Sequence, residues 1–133
     1  MMKLFVYGTL RKGARAYDEY LGKYVLKRYP AFVKGELYQV KNGNYPALLQ
    51  GSRFILGDVF ELAQEFDFRK LDSYEGYYGE NNPNNLYHRV IMDVYDENKQ
   101  WFGKAYCYLY NVDEEEAFLQ LDYLIESDDF LNQ

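Results

Sequence analysis

Between Lys3 and Tyr110 the chain is a succession of β-prone runs broken by glycine, asparagine and proline turns, and few segments carry a helical spacing. Lys3 to Val6 reads as a short buried strand that ends at Tyr7-Gly8. Ala31 to Val40 reads as a second strand, with Gly35 marking a bulge or bend. The turn signal Lys41-Asn42-Gly43-Asn44 follows it, and Tyr45-Pro46-Ala47-Leu48-Leu49 opens another extended piece. Arg53 to Leu62 is strand-like through Ile55, Val59 and Phe60. Tyr87 to Tyr95 and Trp101 to Tyr110, joined by Asp96-Glu97-Asn98-Lys99-Gln100, predict a hairpin. Helical spacing appears over Ala14 to Tyr24, over Ala63 to Leu71, and after Asp113-Glu114-Glu115-Glu116, whose acids suit the positive end of a helix. Asp72 to Gly79 reads as a turn. Gly79-Glu80-Asn81-Asn82-Pro83-Asn84-Asn85 reads as an exposed loop that is expected to lie over the site. Several strands with few intervening helices predict an α+β chain, as a compact mixed sheet or small barrel.

Length and charge narrow the functional classes. A chain of 133 residues fits one domain, here residues 1–133, and has room for one ordinary core. A net charge of −6 argues against a nucleic-acid surface and against anchoring on anionic lipid, which leaves a small-molecule or protein partner. No stretch approaches the roughly 20 apolar residues that span a bilayer, and no targeting segment is visible, so the cytoplasm is the expected compartment. Tyrosine and phenylalanine bring the aromatic share to 20%, spread along the whole chain, which points to a β-rich core with half-wet faces rather than a dedicated aromatic platform. His88 is the only histidine, so a histidine-based metal site has no second member. Cys107, the only cysteine, sits in an apolar strand and is expected to be a buried, inert thiol. No cofactor and no metal is expected, and the oligomeric state is not legible.

Two segments carry candidate chemistry. The strand that breaks at Tyr7-Gly8-Thr9-Leu10 leaves backbone N–H groups available as an anion cradle, with Tyr7 in its wall. A tight glycine turn with no ligand is the competing reading. Far along the chain, Leu71-Asp72-Ser73-Tyr74-Glu75-Gly76-Tyr77 sets a carboxylate among tyrosines whose rings would limit its solvation and raise its pKa. Read alone, Glu75 is an ordinary solvated turn residue. Tyr87 and Arg89 fall two apart in a strand and so share a face, with His88 on the other. Tyr87 would offer a pocket hydroxyl. Arg89 would hold a substrate carboxylate, against the simpler reading of a salt bridge.

These residues also carry a resemblance. Tyr7-Gly8-Thr9-Leu10 after an N-terminal strand, Gly35-Glu36-Leu37-Tyr38, Tyr45-Pro46, Gly57-Asp58-Val59-Phe60-Glu61-Leu62, Leu71-Asp72-Ser73-Tyr74-Glu75-Gly76-Tyr77 and Tyr87-His88-Arg89 occur in the order seen in the gamma-glutamylcyclotransferase-like family, in its small branch with the gamma-glutamylamine cyclotransferases. The resemblance covers about residues 3–110 and leaves the acidic segment 113–133, expected to be a helical tail, unmatched. It implies a small mixed β-barrel with flanking helices, a substrate pocket lined by the Tyr-Gly-Thr-Leu loop, and Glu75 as the catalytic acid/base. The implied reaction is attack of a substrate's own α-amine on its γ-carbonyl, releasing 5-oxoproline and an amine or amino acid. Such a reaction requires a folded-back substrate and one proton shuttle, with neither cofactor nor metal. The alternative is a metabolite-binding or protein-interaction domain that keeps the fold without turnover.

Overall fold

A computed structural model of the chain describes residues 2–41, 43 and 45–132, without the side chain of Asn132. Asn42 and Asn44 of the expected Asn-Gly turn lie outside the described residues. Among the described residues there are six strands: β1 (Met2–Val6), β2 (Val25–Val40), β3 (Pro46–Leu62), β4 (Tyr87–Tyr95), β5 (Trp101–Tyr110) and β6 (Leu121–Leu124). Three short helices accompany them: α1 (Tyr17–Tyr20), α2 (Phe68–Glu75) and α3 (Glu115–Leu119).

The long β2–β3 hairpin is the frame, paired antiparallel from Val25↔Leu62 to Gln39↔Pro46. The two extended pieces expected at 45–49 and 53–62 are one strand. Its register slips opposite Gly35–Glu36, where Gly35 faces Arg53 and Glu36 faces Leu49, the irregularity that the glycine signalled. The short β1 lies between β3, antiparallel, and β5, parallel, and the predicted β4–β5 hairpin completes the order β3-β1-β5-β4-β2-β6. Because β2 also pairs with β3, the strands curl toward a ring. The ladder pairings of β1 with β5 and of β2 with β4, however, are each a single registered pair among the described residues, Leu4↔Tyr106 and Phe32↔Tyr95. The fold is therefore a mixed sheet of α+β type that falls short of a strict barrel. Side chains alternate across β1, so Phe5 and Tyr7 enter one apolar cluster with Val33 and Ile55, while Leu4 and Val6 enter another with Phe60 and Leu71.

The structure displaces one expected helix and shortens the other two. Residues 63–67 form a turn whose Phe66 ring packs on Tyr24 and Phe68, and helix α2 starts only after Asp67, whose carboxylate accepts from the Arg69 amide. That is an N-cap, and it wins over the apolar spacing upstream. The expected turn at 72–79 is thus half helix. At 14–24 a single α-turn and a 3-10 turn replace one helix. The C-terminal segment is only partly helical: α3 is capped by the Glu114 side chain on the Ala117 amide, and β6 then pairs with β2 through Tyr38↔Leu124 and Val40↔Leu121. Among the described residues no helix is long and apolar enough to cross a membrane.

Candidate active site

Leaving β1, the chain turns at Gly8 through a bond from the Arg11 amide to the Gly8 carbonyl, at 3.1 Å, and the Thr9 carbonyl accepts from the Ala16 amide. The amides of Gly8, Thr9 and Leu10 themselves find no acceptor among the described residues. Gly8 is required by space rather than by an unusual φ: a Cβ there would stand 2.7 Å from Cδ of Pro46.

Helix α2 delivers the carboxylate. It ends at Glu75 because Gly76 adopts the left-handed conformation, φ 68°, while the Gly76 amide bonds the Ser73 carbonyl and the Tyr77 amide bonds the Asp72 carbonyl. This pairing is the Schellman motif, for which glycine is the usual residue. Glu75 then faces a cavity of about 250 Å³ that Tyr7, Gly8, Thr9, Leu10, Tyr87 and Tyr108 also line. Thr9 and Tyr74 share a hydrogen bond of 3.1 Å that ties the turn after β1 to the last turn of α2.

The tyrosine hydroxyls of the pocket are anchored. Tyr7 donates to the Tyr108 carbonyl at 2.6 Å, and Tyr87 donates to the Pro46 carbonyl at 2.7 Å. Glu75 has no hydrogen-bond or ion-pair partner among the described residues. Some of its surface is open to the cavity, while protein encloses the rest. This desolvation, aided by the nearby Asp72 charge, pushes its carboxyl up to about 8. The same enclosure and the Glu75 charge push the Tyr7 and Tyr87 hydroxyls well above their usual range.

Of the residues expected at the site, Glu75, Tyr7, Gly8, Thr9, Leu10 and Tyr87 meet around one cavity; Arg89 does not. Its Nη1 lies 2.8 and 3.0 Å from the two oxygens of Asp72, and its guanidinium stacks 4.2 Å from the Phe68 ring centre. The salt-bridge reading of Arg89 is the one that the structure shows, because Asp72 on α2 takes the guanidinium. The wrapping tyrosines also differ: Tyr74 lines the pocket, but Tyr78 is exposed and Tyr77 sits beside Arg89. Residues 79–85 do not reach the cavity; Asn85 is buried and bonds the Tyr78 amide and the Gly79 carbonyl, and Leu86 is the next residue to line the pocket. Sequence reasoning missed Asp72 and Tyr108. The first was hidden by ending the helix too early; the second was legible in the alternation of Tyr106, Tyr108 and Tyr110 along β5. Cys107 is fully buried, with its thiol pushed up by burial, and no cluster of three metal-ligating side chains exists among the described residues.

Comparison with known proteins gives consistent results. The family model described as gamma-glutamyl cyclotransferase, AIG2-like, matches residues 4–132, and so includes the acidic C-terminal segment. A curated relative from Niallia circulans, gamma-L-glutamyl-butirosin B gamma-glutamyl cyclotransferase, is 32% identical over 114 residues, which is 86% of this chain and 70% of the relative. Among solved structures, an AIG2-like protein of Mus musculus aligns with TM-score 0.66 and 23% identity over 92% of this chain and 85% of that one. An uncharacterised protein of Pyrococcus horikoshii aligns with TM-score 0.61 and 23% identity over 98% and 90%. The structural likenesses establish the fold, and the extent of the family match together with the curated relative establishes that this chain belongs to the gamma-glutamyl cyclotransferase, AIG2-like, family.

Proposed function

We propose that the chain closes the ring of a γ-glutamyl amide, releasing 5-oxoproline and a free amine or amino acid, with Glu75 as the proton shuttle. The observation that carries this reading is a carboxyl without a partner among the described residues, shifted to about 8, facing a small cavity beside a run of amides that find no acceptor among those residues. A carboxyl tuned near the working pH takes and returns a proton with little cost. At about 250 Å³ the cavity lies below the usual range of roughly 300–1,000 Å³ for ligand pockets, which suits a glutamyl unit with its leaving amine directed outward.

The steps balance within one substrate. Glu75 carboxylate accepts a proton from the substrate α-ammonium. The freed amine attacks the γ-carbonyl carbon, the new C–N bond closes a five-membered ring, and the Gly8–Leu10 amides hold an oxygen of the substrate. The old amide C–N bond then breaks as Glu75 returns its proton to the leaving nitrogen, and the second proton of the ring nitrogen passes to the released amine, which departs as an ammonium. The curated relative acts, by its name, on gamma-L-glutamyl-butirosin B, which supports a γ-glutamyl amide as the substrate class here.

The test is 5-oxoproline release from a panel of γ-glutamyl amines and dipeptides. Glu75→Gln keeps the shape and removes the base, so turnover should fall by about 10²- to 10⁴-fold while affinity changes far less. Binding without release across the panel by the wild-type protein, or near-normal rates in Glu75→Gln, would overturn the reading.

A further inference from the structure

Behind the pocket a second polar cluster occurs that the ring closure does not use. Asp72, one helical turn before Glu75 on α2, accepts from Arg89 of β4 through both oxygens and from the Tyr108 hydroxyl of β5 at 2.6 Å. Arg89 is held in turn between aromatic faces, 4.2 Å from the Phe68 ring centre and 5.5 Å from that of Tyr106. Tyr108 links the cluster to the pocket wall, since its carbonyl accepts the Tyr7 hydroxyl. A helix face, two neighbouring strands and a cation between rings thus fix one carboxylate close behind another. Residues three apart on a helix stand about 5–6 Å apart at Cβ. Over that distance a fixed charge acts strongly in a partly dehydrated site.

We propose that Arg89 and Asp72, the latter also held by the Tyr108 hydroxyl, are positioning residues for Glu75: a clamped charge pair outside the lining of the cavity that sets the electrostatic field in which the glutamate exchanges its proton. The inference rests on the proposed role of Glu75. The carboxyl in turn acts on the other titratable groups around it. Tyr7 faces it from just past the end of β1, Tyr87 from β4, Cys107 and Tyr108 from β5, and Tyr20 from α1. Arg15 lines the same cavity. The tyrosines and the thiol are neutral across the relevant pH range, because each is shifted upward. The field of the nearby Asp72 points against ionisation of Glu75. Arg89 offsets that field in part. The two members of the pair therefore push Glu75 in opposite directions.

That opposition gives the test. The carboxyl titration of Glu75, followed by ¹³C NMR in glutamate-labelled protein without substrate, should move down by roughly one pH unit in Asp72→Asn, because a like charge is removed. In Arg89→Met it should move up, because the Asp72 charge loses its offset, and Arg89→Lys should bring it back. The acid limb of kcat/KM should follow the same order. A purely structural cluster would lower stability and leave the titration in place. Unchanged titration in the folded variants, or a shift of the same sign in Asp72→Asn and Arg89→Met, overturns the proposal. Should Asp72→Asn fail to fold, the Arg89→Met and Arg89→Lys pair decides. The NMR readout needs no turnover, so a protein inactive on every γ-glutamyl compound would refute the proposed reaction while leaving this inference to its own result.

Discussion

Glu75→Gln should make the protein more stable at neutral pH while removing its activity. The carboxyl titrates near 4.5 in a solvated chain and at about 8 in the fold. Below pH 4.5 both states hold the proton, and the ionisation contributes nothing. Between 4.5 and 8 the unfolded chain has released a proton that the folded one retains, so the folded state binds more protons and stability falls as pH rises. At pH 7 that interval is about 2.5 pH units, or about 3 kcal/mol as an upper bound at 1.36 kcal/mol per unit. The side chain keeps some surface open to the cavity, which reduces the penalty, and about 2 kcal/mol is the expected value. For a chain of this length that corresponds to a rise in Tm of roughly 5–10 °C. Glutamine has the same shape without a charge and escapes the penalty. Urea or thermal unfolding of both proteins from pH 4 to 9 is the assay: the curves should coincide near pH 4 and separate steadily toward pH 8, with the variant above. A gap that does not depend on pH, or a wild type that is the more stable protein at pH 8, would show that the carboxyl is not held against ionisation.

Three other outcomes are expected. The acid limb of kcat/KM should lie near 8, where Glu75 ionises in the free enzyme, with the substrate amine shaping the alkaline side; a limb near 4.5 would mean that a solvated carboxylate does the work. Gly8→Val should lose substrate and 5-oxoproline binding at a temperature where the fold persists, since its Cβ would stand 2.7 Å from the Pro46 ring at the pocket wall; wild-type affinity in calorimetry would reduce the turn to a connector. Dialysis against a chelator should leave 5-oxoproline release unchanged, because no cluster of three metal-ligating side chains exists among the described residues, and loss of activity that a divalent ion restores would contradict the metal-free ring closure.

How much of this was legible follows from the range of each signal. The strand at Lys3–Val6 and the 87–110 hairpin could be read directly, because alternation and β-propensity are local. Glu75 and the Gly8 turn were found through motif order, and for the turn the physical reason given by sequence was incomplete: Gly8 is required by Pro46, which is brought beside it only by tertiary structure. Helix α2 was misplaced because apolar residues upstream imitate a helical face, whereas its true limits are capping features, Asp67 at one end and Gly76 at the other. That shift hid Asp72, and with it the partner that takes Arg89 away from the pocket. Pairings across such distances depend on which strands become neighbours, and no local pattern encodes them.

The same fold treats two buried acids in opposite ways, and the contrast explains why one of them is chemically available. Asp58 on β3 is almost fully enclosed, and arginines meet both of its oxygens: Arg28 at 3.1 Å and Arg11 at 3.4 Å. Arg11 also reaches Asp129 of the C-terminal segment at 2.7 Å. An enclosed charge with such partners is compensated and has no free valence for a ligand. Arg11 directly follows the Gly8–Leu10 turn, so this ion-pair network clamps the base of the turn that lines the cavity. The acidic C-terminal segment is thereby tied to the residue that follows this turn. Glu75 receives no counter-charge of this kind among the described residues, so nothing there offsets the burial and the Asp72 charge that push its carboxyl up. A substrate ammonium entering the cavity would supply the missing partner, so the ionisation that the empty fold opposes is favoured only when the group to be deprotonated has arrived.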